Sequence, residues 1–200
     1  MESFRALRVL ADRIDAAWVS DHLCFCGFDG FSGHDLWPLP FTEEAVAHVA
    51  ARVSRIQDIL GRRLALENIA TYVRFSAAEM TEWEFVREVA ERADADVLLD
   101  LGNVFINAHN HGFDPRVFVS AMPTGRLRQI HLAGHDDLGS HLFDGPVPDG
   151  VWGLFRHCVG VHGPIPTVVE WDRDVPPLAG VLAESARAAE TEADVLGDRP

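Results

Sequence analysis

Leu-Ala-Leu-Glu-Asn, residues 64 to 68, reads as a short β-strand that meets a carboxylate, Glu67, where the strand should stop. Four other segments read as strands, and three of them also run into a metal-capable side chain where the strand should stop: Ala-Trp-Val-Ser-Asp-His at 17 to 22, Val-Leu-Leu-Asp at 97 to 100, Gln-Ile-His-Leu-Ala-Gly-His at 129 to 135 and Thr-Val-Val-Glu-Trp-Asp at 167 to 172. The segment at 129 to 135 differs in carrying its first candidate, His131, inside the strand. Helical stretches separate most of these segments, so the strands should lie parallel and bring their C-terminal ends to one rim of a sheet, where βα proteins keep their sites. His22, Glu67, Asp100, His131 and Glu170 are therefore expected to converge.

Outward from the strands, Val46, Val49, Ala50, Val53, Ile56, Ile59 and Leu60 fall at helical spacing between an N-cap, Thr42, and a stop, Gly61. Thr81 and Glu84 form a capping-box pattern ahead of a helix over 81–93. Further helices are expected over 3–14, from Pro115, from Asp149 and over 178–196. Residues 23 to 41 read as a loop rich in Gly, Phe and Pro, either a substrate wall or an aromatic plug. The fold class is α/β. A closed (β/α)8 barrel takes eight strands and about 250 residues, so five strands in one domain over residues 1–200 leave two forms: an open doubly wound sheet, or a partial TIM barrel with about five of its eight βα units.

Composition narrows the function. A formal net charge of −14 excludes the basic footprint that nucleic acid or an anionic membrane would require. The N-terminus lacks a basic region followed by an apolar run, and no segment stays apolar long enough to span a bilayer, so a cytoplasmic chain is expected. Cys24, Cys26 and Cys158 are odd in number and too few for a disulfide framework, which fits a reducing compartment. Imidazoles and carboxylates without a thiolate-rich pattern suit Fe(II), Mn(II) or Zn(II) better than a soft-metal or iron–sulfur site.

Eight collinear runs carry a resemblance: Val-Ser-Asp-His-Leu (19–23), Leu-Pro-Phe-Thr-Glu-Glu-Ala-Val (39–46), Leu-Glu-Asn-Ile (66–69), Leu-Leu-Asp-Leu-Gly-Asn-Val (98–104), Ala-His-Asn-His-Gly-Phe-Asp-Pro (108–115), Ile-His-Leu-Ala-Gly-His (130–135), Pro-Val-Pro-Asp-Gly-Val-Trp (146–152) and Val-Glu-Trp-Asp (169–172). In this order they resemble the multinuclear non-heme iron-dependent oxidative enzymes, formerly domain-of-unknown-function family 692, which include the methanobactin-biosynthesis oxygenase. The resemblance implies a TIM barrel of the xylose-isomerase-like kind with two or three Fe ions at its C-terminal rim. It implies dioxygen as co-substrate and a ribosomally made precursor peptide as substrate, cysteine being the usual target. A leader-peptide-binding partner protein is a further implication.

On the same resemblance His22, Glu67, Asp100, His131 and Glu170 fall on metal-ligand positions, with Asn103 and Asp144 as further ligands. Asn68, His135, His141, Asn107, His109 and Asp172 fall beside them, orienting ligands or facing substrate. The family pattern opens with three strands, the third carrying Ser-Leu-His-Gly and one ligand histidine, and this chain starts after them. A fragment of a longer gene, or a start placed too late, is the expectation, because an incomplete barrel exposes sheet edges and an apolar face. The family's Asp-Thr-His is also altered to Ser-His-Leu-Phe-Asp-Gly at 140–145, which keeps an aspartate at Asp144 and leaves open whether His141 replaces the histidine.

Ordinary explanations stand beside these roles. His22 could be a hydrogen-bonded histidine at a strand end, Glu67 and Glu170 buried carboxylates paired with arginine, Asp100 a helix or turn cap, and His131 a satisfied core histidine. His109 and His111 could structure the Asn-His-Gly-Phe-Asp turn, and Trp152 and Trp171 could be packing residues. Two other functions remain as alternatives: a divalent-metal sugar isomerase or hydrolase on a related barrel, and a non-catalytic remnant.

Overall fold

The computed structural model of the chain describes residues 2–28, 30–134, 145–171 and 173–197. Five strands form one sheet in the order β1 (Val19–His22), β4 (Leu64–Glu67), β5 (Asp96–Asp100), β6 (Leu127–Ala133) and β7 (Thr167–Glu170); β2 (Phe25–Phe28) and β3 (Phe31–Trp37) pair separately. Between successive strands of the sheet run α2 (Glu43–Leu60), α3 (Glu82–Ala93), α4 (Leu101–His111) with α5 (Pro115–Ala121), and α6 (Asp149–His162). Helix α1 (Glu2–Arg13) precedes the sheet and α7 (Leu178–Gly197) follows it. Strand order follows chain order without reversal, which excludes a doubly wound sheet, whose order switches direction partway. The fold is therefore five βα units of a TIM-type barrel. Among the described residues no helix is long and apolar enough to cross a membrane.

Two elements depart from expectation. The segment over 23–41 is not a plain loop but holds the β2–β3 hairpin, with Phe25 opposite Trp37 and Phe28 opposite Phe31. Its register is irregular between Phe25 and Gly27, so its glycines break the alternation that would mark strands in the sequence. Residues 101–111 form a helix to which the sequence reading assigns no element; Asp100 caps its start and Gly112, at φ 73°, closes it.

Contacts divide the chain into two compact units, Met1–Ile69 with Val73–Leu98, and Ala70–Tyr72 with Leu99–Pro200. In the first unit, α2 starts at Thr42, whose side chain accepts from the Ala45 N–H, and stops at Gly61, φ 69°. Its buried stripe is Val46, Ala50, Val53 and Leu60. Gln57 on the same helix donates its amide N–H to the Ala93 carbonyl (2.7 Å) and accepts the Leu64 N–H (2.9 Å). One side chain thus ties the end of α3 to the first residue of β4. Arg62 donates to the Ala16 carbonyl at 2.8 Å, and Arg63 to both Asp94 carboxylate oxygens at 2.8 Å.

Thr81 and Glu84 form the expected capping box at α3: the Thr81 N–H donates to Glu84 Oε2 at 2.8 Å, and Thr81 Oγ1 accepts the Glu84 N–H at 3.4 Å. The Thr81 hydroxyl also donates to Glu84 Oε2 at 2.6 Å, and these bonds hold the Glu84 carboxyl below its ordinary value. Thr81→Ala is expected to cost about 1 kcal/mol in urea denaturation at neutral pH. Because the folded pKa is depressed, the Glu84 contribution is present above the unfolded value of about 4.3 and is lost as pH falls through the folded one. The gap between wild type and Thr81→Ala should narrow on acidification.

In the second unit β6 and β7 run parallel, with His131 beside Val168 and Ala133 beside Glu170. Ile130 and Leu132 are fully buried on one face of β6, which leaves His131 on the other. Helix α4 begins against β6: a Cβ at Gly102 would lie 3.1 Å from the Ala133 carbonyl oxygen, so glycine permits this approach. Phe118, Val151, Leu154, Phe155 and Val159 are among the unit's other core residues.

Candidate metal centre

The parallel register makes His131 and Glu170 diagonal neighbours on one sheet face. His131 Nδ1 stands 3.0 Å from Glu170 Oε2, yet the two are not aligned as a hydrogen bond. Asp100, the last residue of β5, is 1% exposed, and its Oδ1 accepts the Asn103 N–H at 2.7 Å. Asp100, His131 and Glu170 each offer a ligand atom, and these atoms lie within 4.8 Å of one another. Two donors on one cation at bond lengths near 2.1 Å stand about 3 Å apart, as His131 and Glu170 do. Two carboxylates and an imidazole are a donor set for Fe(II), Mn(II) or Zn(II), and the residues present fit such an ion.

Asp100 takes the cap role read from the sequence, at the start of α4, and its carboxylate also stands in this trio. The cap fixes the carboxylate at the mouth of the helix. Asn103 lies in the first turn of α4, 3% exposed. Asn107, one turn further, is fully buried and accepts the Thr71 N–H at 2.7 Å. Asn110 donates to the Thr71 carbonyl at 3.1 Å, and His111 Nε2 is 2.7 Å from the Thr71 hydroxyl, so α4 holds the 70–72 segment through three side chains. His109 is exposed.

In the first unit His22 and Glu67 close β1 and β4 side by side in register. Their Nε2 and Oε2 atoms are 3.6 Å apart, and the Leu23 N–H extends the ladder to the Glu67 carbonyl at 2.8 Å. The Glu67 side chain is 8% exposed and that of His22 is 43% exposed, so the imidazole is open to solvent. Asn68 follows, buried. His22, Cys24 and Cys26 border a cavity of about 450 Å³ whose wall includes Val53, Leu64 and Leu66. Burial first, then Cys26 and Asp21, push the Cys24 thiol up to about 11, which keeps it protonated at neutral pH.

His135, His141, Asp144 and Asp172 lie outside the described residues. Trp171 donates its indole N–H to Glu184 Oε2 at 2.7 Å, while Trp152 packs edge-on against Phe155 with the Arg187 guanidinium 4.5 Å above its ring. Nothing in the sequence singles out Thr71 or Glu184. Their bonds join residues 13 to 40 positions apart, and no local pattern announces such partners.

A family profile described as RiPP precursor modification enzyme MbnB/TglH/ChrH matches residues 1–193. A UPF0276 protein of Anaeromyxobacter sp. is 52% identical over 200 residues, covering 97% of this chain and 71% of the relative. One from Caulobacter vibrioides is 46% identical over 187 residues, covering 92% and 67%. Among solved structures, an L-ribulose 3-epimerase matches with TM-score 0.61 at 14% identity, covering all of this chain and 71% of its own. A sugar phosphate isomerase/epimerase from Parabacteroides distasonis matches with TM-score 0.53 at 13% identity, and the chain spans 65% of its length. These likenesses place the fold with the xylose-isomerase-like TIM barrels. The length and identity of the sequence matches go further: the chain belongs to the MbnB/TglH/ChrH family of RiPP precursor modification enzymes.

Proposed function

We propose that this protein is a multinuclear non-heme iron-dependent oxidoreductase that uses dioxygen to modify residues, cysteine foremost, of a ribosomally made precursor peptide. The observation that supports it best is the Asp100, His131 and Glu170 trio, within 4.8 Å, in a chain whose family modifies RiPP precursors. The proposed ligands are His22, Glu67, Asp100, His131 and Glu170, with Asn103 and Asp144. Asn68, His135, His141, Asn107, His109 and Asp172 orient them or face the peptide. Iron bound there would supply open positions for dioxygen and a substrate sulfur, so that electrons pass between them without an organic cofactor.

The chain's own residues prepare for that chemistry. Asp100 and Glu170 offset cationic charge, and the Asn103 N–H holds the Asp100 carboxylate in one orientation before any ion arrives. The greater exposure of the Glu170 side chain, 37% against 15% for His131, leaves an approach for a peptide on that side. A leader-binding partner protein would present the peptide, and the compartment is proposed to be cytoplasmic.

Anaerobic purification, loading with Fe(II) and elemental analysis test the proposal. Stoichiometric iron together with dioxygen uptake on adding precursor peptide is the expected result. Manganese, magnesium or zinc without dioxygen uptake would replace it with the isomerase or hydrolase reading, and absence of stoichiometric metal with a non-catalytic one.

A further inference from the structure

We infer that Glu184 of α7 is a positioning residue for the metal centre, fixing the backbone from which Glu170 presents its carboxylate. The inference rests on the metal centre proposed above and adds a residue outside its ligand set. Strand β7 ends at Glu170, so Trp171 is the first residue beyond the regular ladder. Side chains alternate along an extended strand, and Trp171 therefore turns away from the face that Glu170 and His131 share. Its indole N–H is held by Glu184 Oε2 at 2.7 Å. A grip on Trp171 from the helix side limits how far the neighbouring Glu170 can swing, and Glu170 is exposed enough that packing alone does not do so.

The other oxygen of the same carboxylate, Oε1, accepts the Val147 N–H at 2.8 Å. Val147 is buried and stands two residues before α6. Just upstream, the Gly145 carbonyl packs so closely on Gly134, the residue after β6, that a Cβ there would lie 2.0 Å away. Glu184 thus links the chain leaving β7 to a segment packed on the end of β6, and these two strands carry Glu170 and His131. Both of its bonds are charge-assisted, each using one oxygen.

Arg187, one turn along α7, provides a control. It bonds Asp149 at 2.9 Å and covers Trp152, so it secures the start of α6 rather than Trp171. Glutamine at 184 keeps the length yet offers one acceptor where two donors wait.

The experiment is a Co(II) titration followed in the visible spectrum for wild type, Glu184→Gln, Glu184→Ala and Arg187→Ala, with far-ultraviolet circular dichroism as the check on folding. Expected are a loss of Co(II) affinity of roughly 10-fold or more and an altered visible band in both Glu184 variants, with Arg187→Ala matching wild type. Should Glu184→Ala fail to fold, Glu184→Gln carries the comparison. Wild-type titration by Glu184→Gln, or an equal loss in Arg187→Ala, overturns the positioning role. A wild-type chain that takes up no Co(II) overturns the metal centre itself, and this inference with it.

Discussion

His131→Ala is expected to lower metal affinity by well over the roughly 10- to 100-fold that removing a residue which merely orients a ligand costs. Fold stability without metal should stay close to wild type. The imidazole lies on the sheet face opposite Ile130 and Leu132, which are fully buried, so its removal does not open the core on that side. Calorimetric titration gives the affinity, and thermal unfolding with and without metal gives a second reading. A ligand at 100 times its dissociation constant stabilises the folded state by about 2.7 kcal/mol, and the shift seen in wild type should vanish in His131→Ala. Undiminished uptake by the variant would remove the structural basis for a metal centre.

Phe85→Ala should have the largest effect on stability, about 3–5 kcal/mol. Phe85 on α3 is 1% exposed, and its ring lies 5.2 Å from that of Phe41, the residue before the α2 cap. Truncation leaves a void between elements that are already capped and bonded, so the surroundings cannot collapse to fill it. Against a typical total of roughly 5–15 kcal/mol, such a loss should populate unfolded chains at modest urea concentration. Circular dichroism across a denaturant series measures it, and a change below about 1 kcal/mol would mean the site repacks freely.

Much of this architecture was readable because each strand states its own end. His22, Glu67, Asp100 and Glu170 are the residues on which β1, β4, β5 and β7 close, and His131 lies inside β6 as its apolar neighbours imply. Helix caps were equally local: Thr42, Thr81 and Gly61 do what their types favour. Helix α4 is not legible locally because Asn103 and Asn107 interrupt its apolar face; both are buried in the tertiary fold, Asn107 against Thr71 36 residues away. The β2–β3 hairpin was hidden by its glycines. Thr71 and Glu184 were illegible for a different cause, since their bonds exist only once distant segments meet.

The Gln57 amide faces a demand that no charged or apolar side chain can meet. It must give a proton to one backbone group, the Ala93 carbonyl, and take one from another, the Leu64 N–H. Glutamate would set an acceptor against an acceptor, lysine a donor against a donor, and leucine or methionine would strand both. Asparagine has the right chemistry without the reach. Invariance at position 57 among relatives would then record joinery at the foot of β4, opposite the end that carries Glu67, and should not be mistaken for a mark of chemistry.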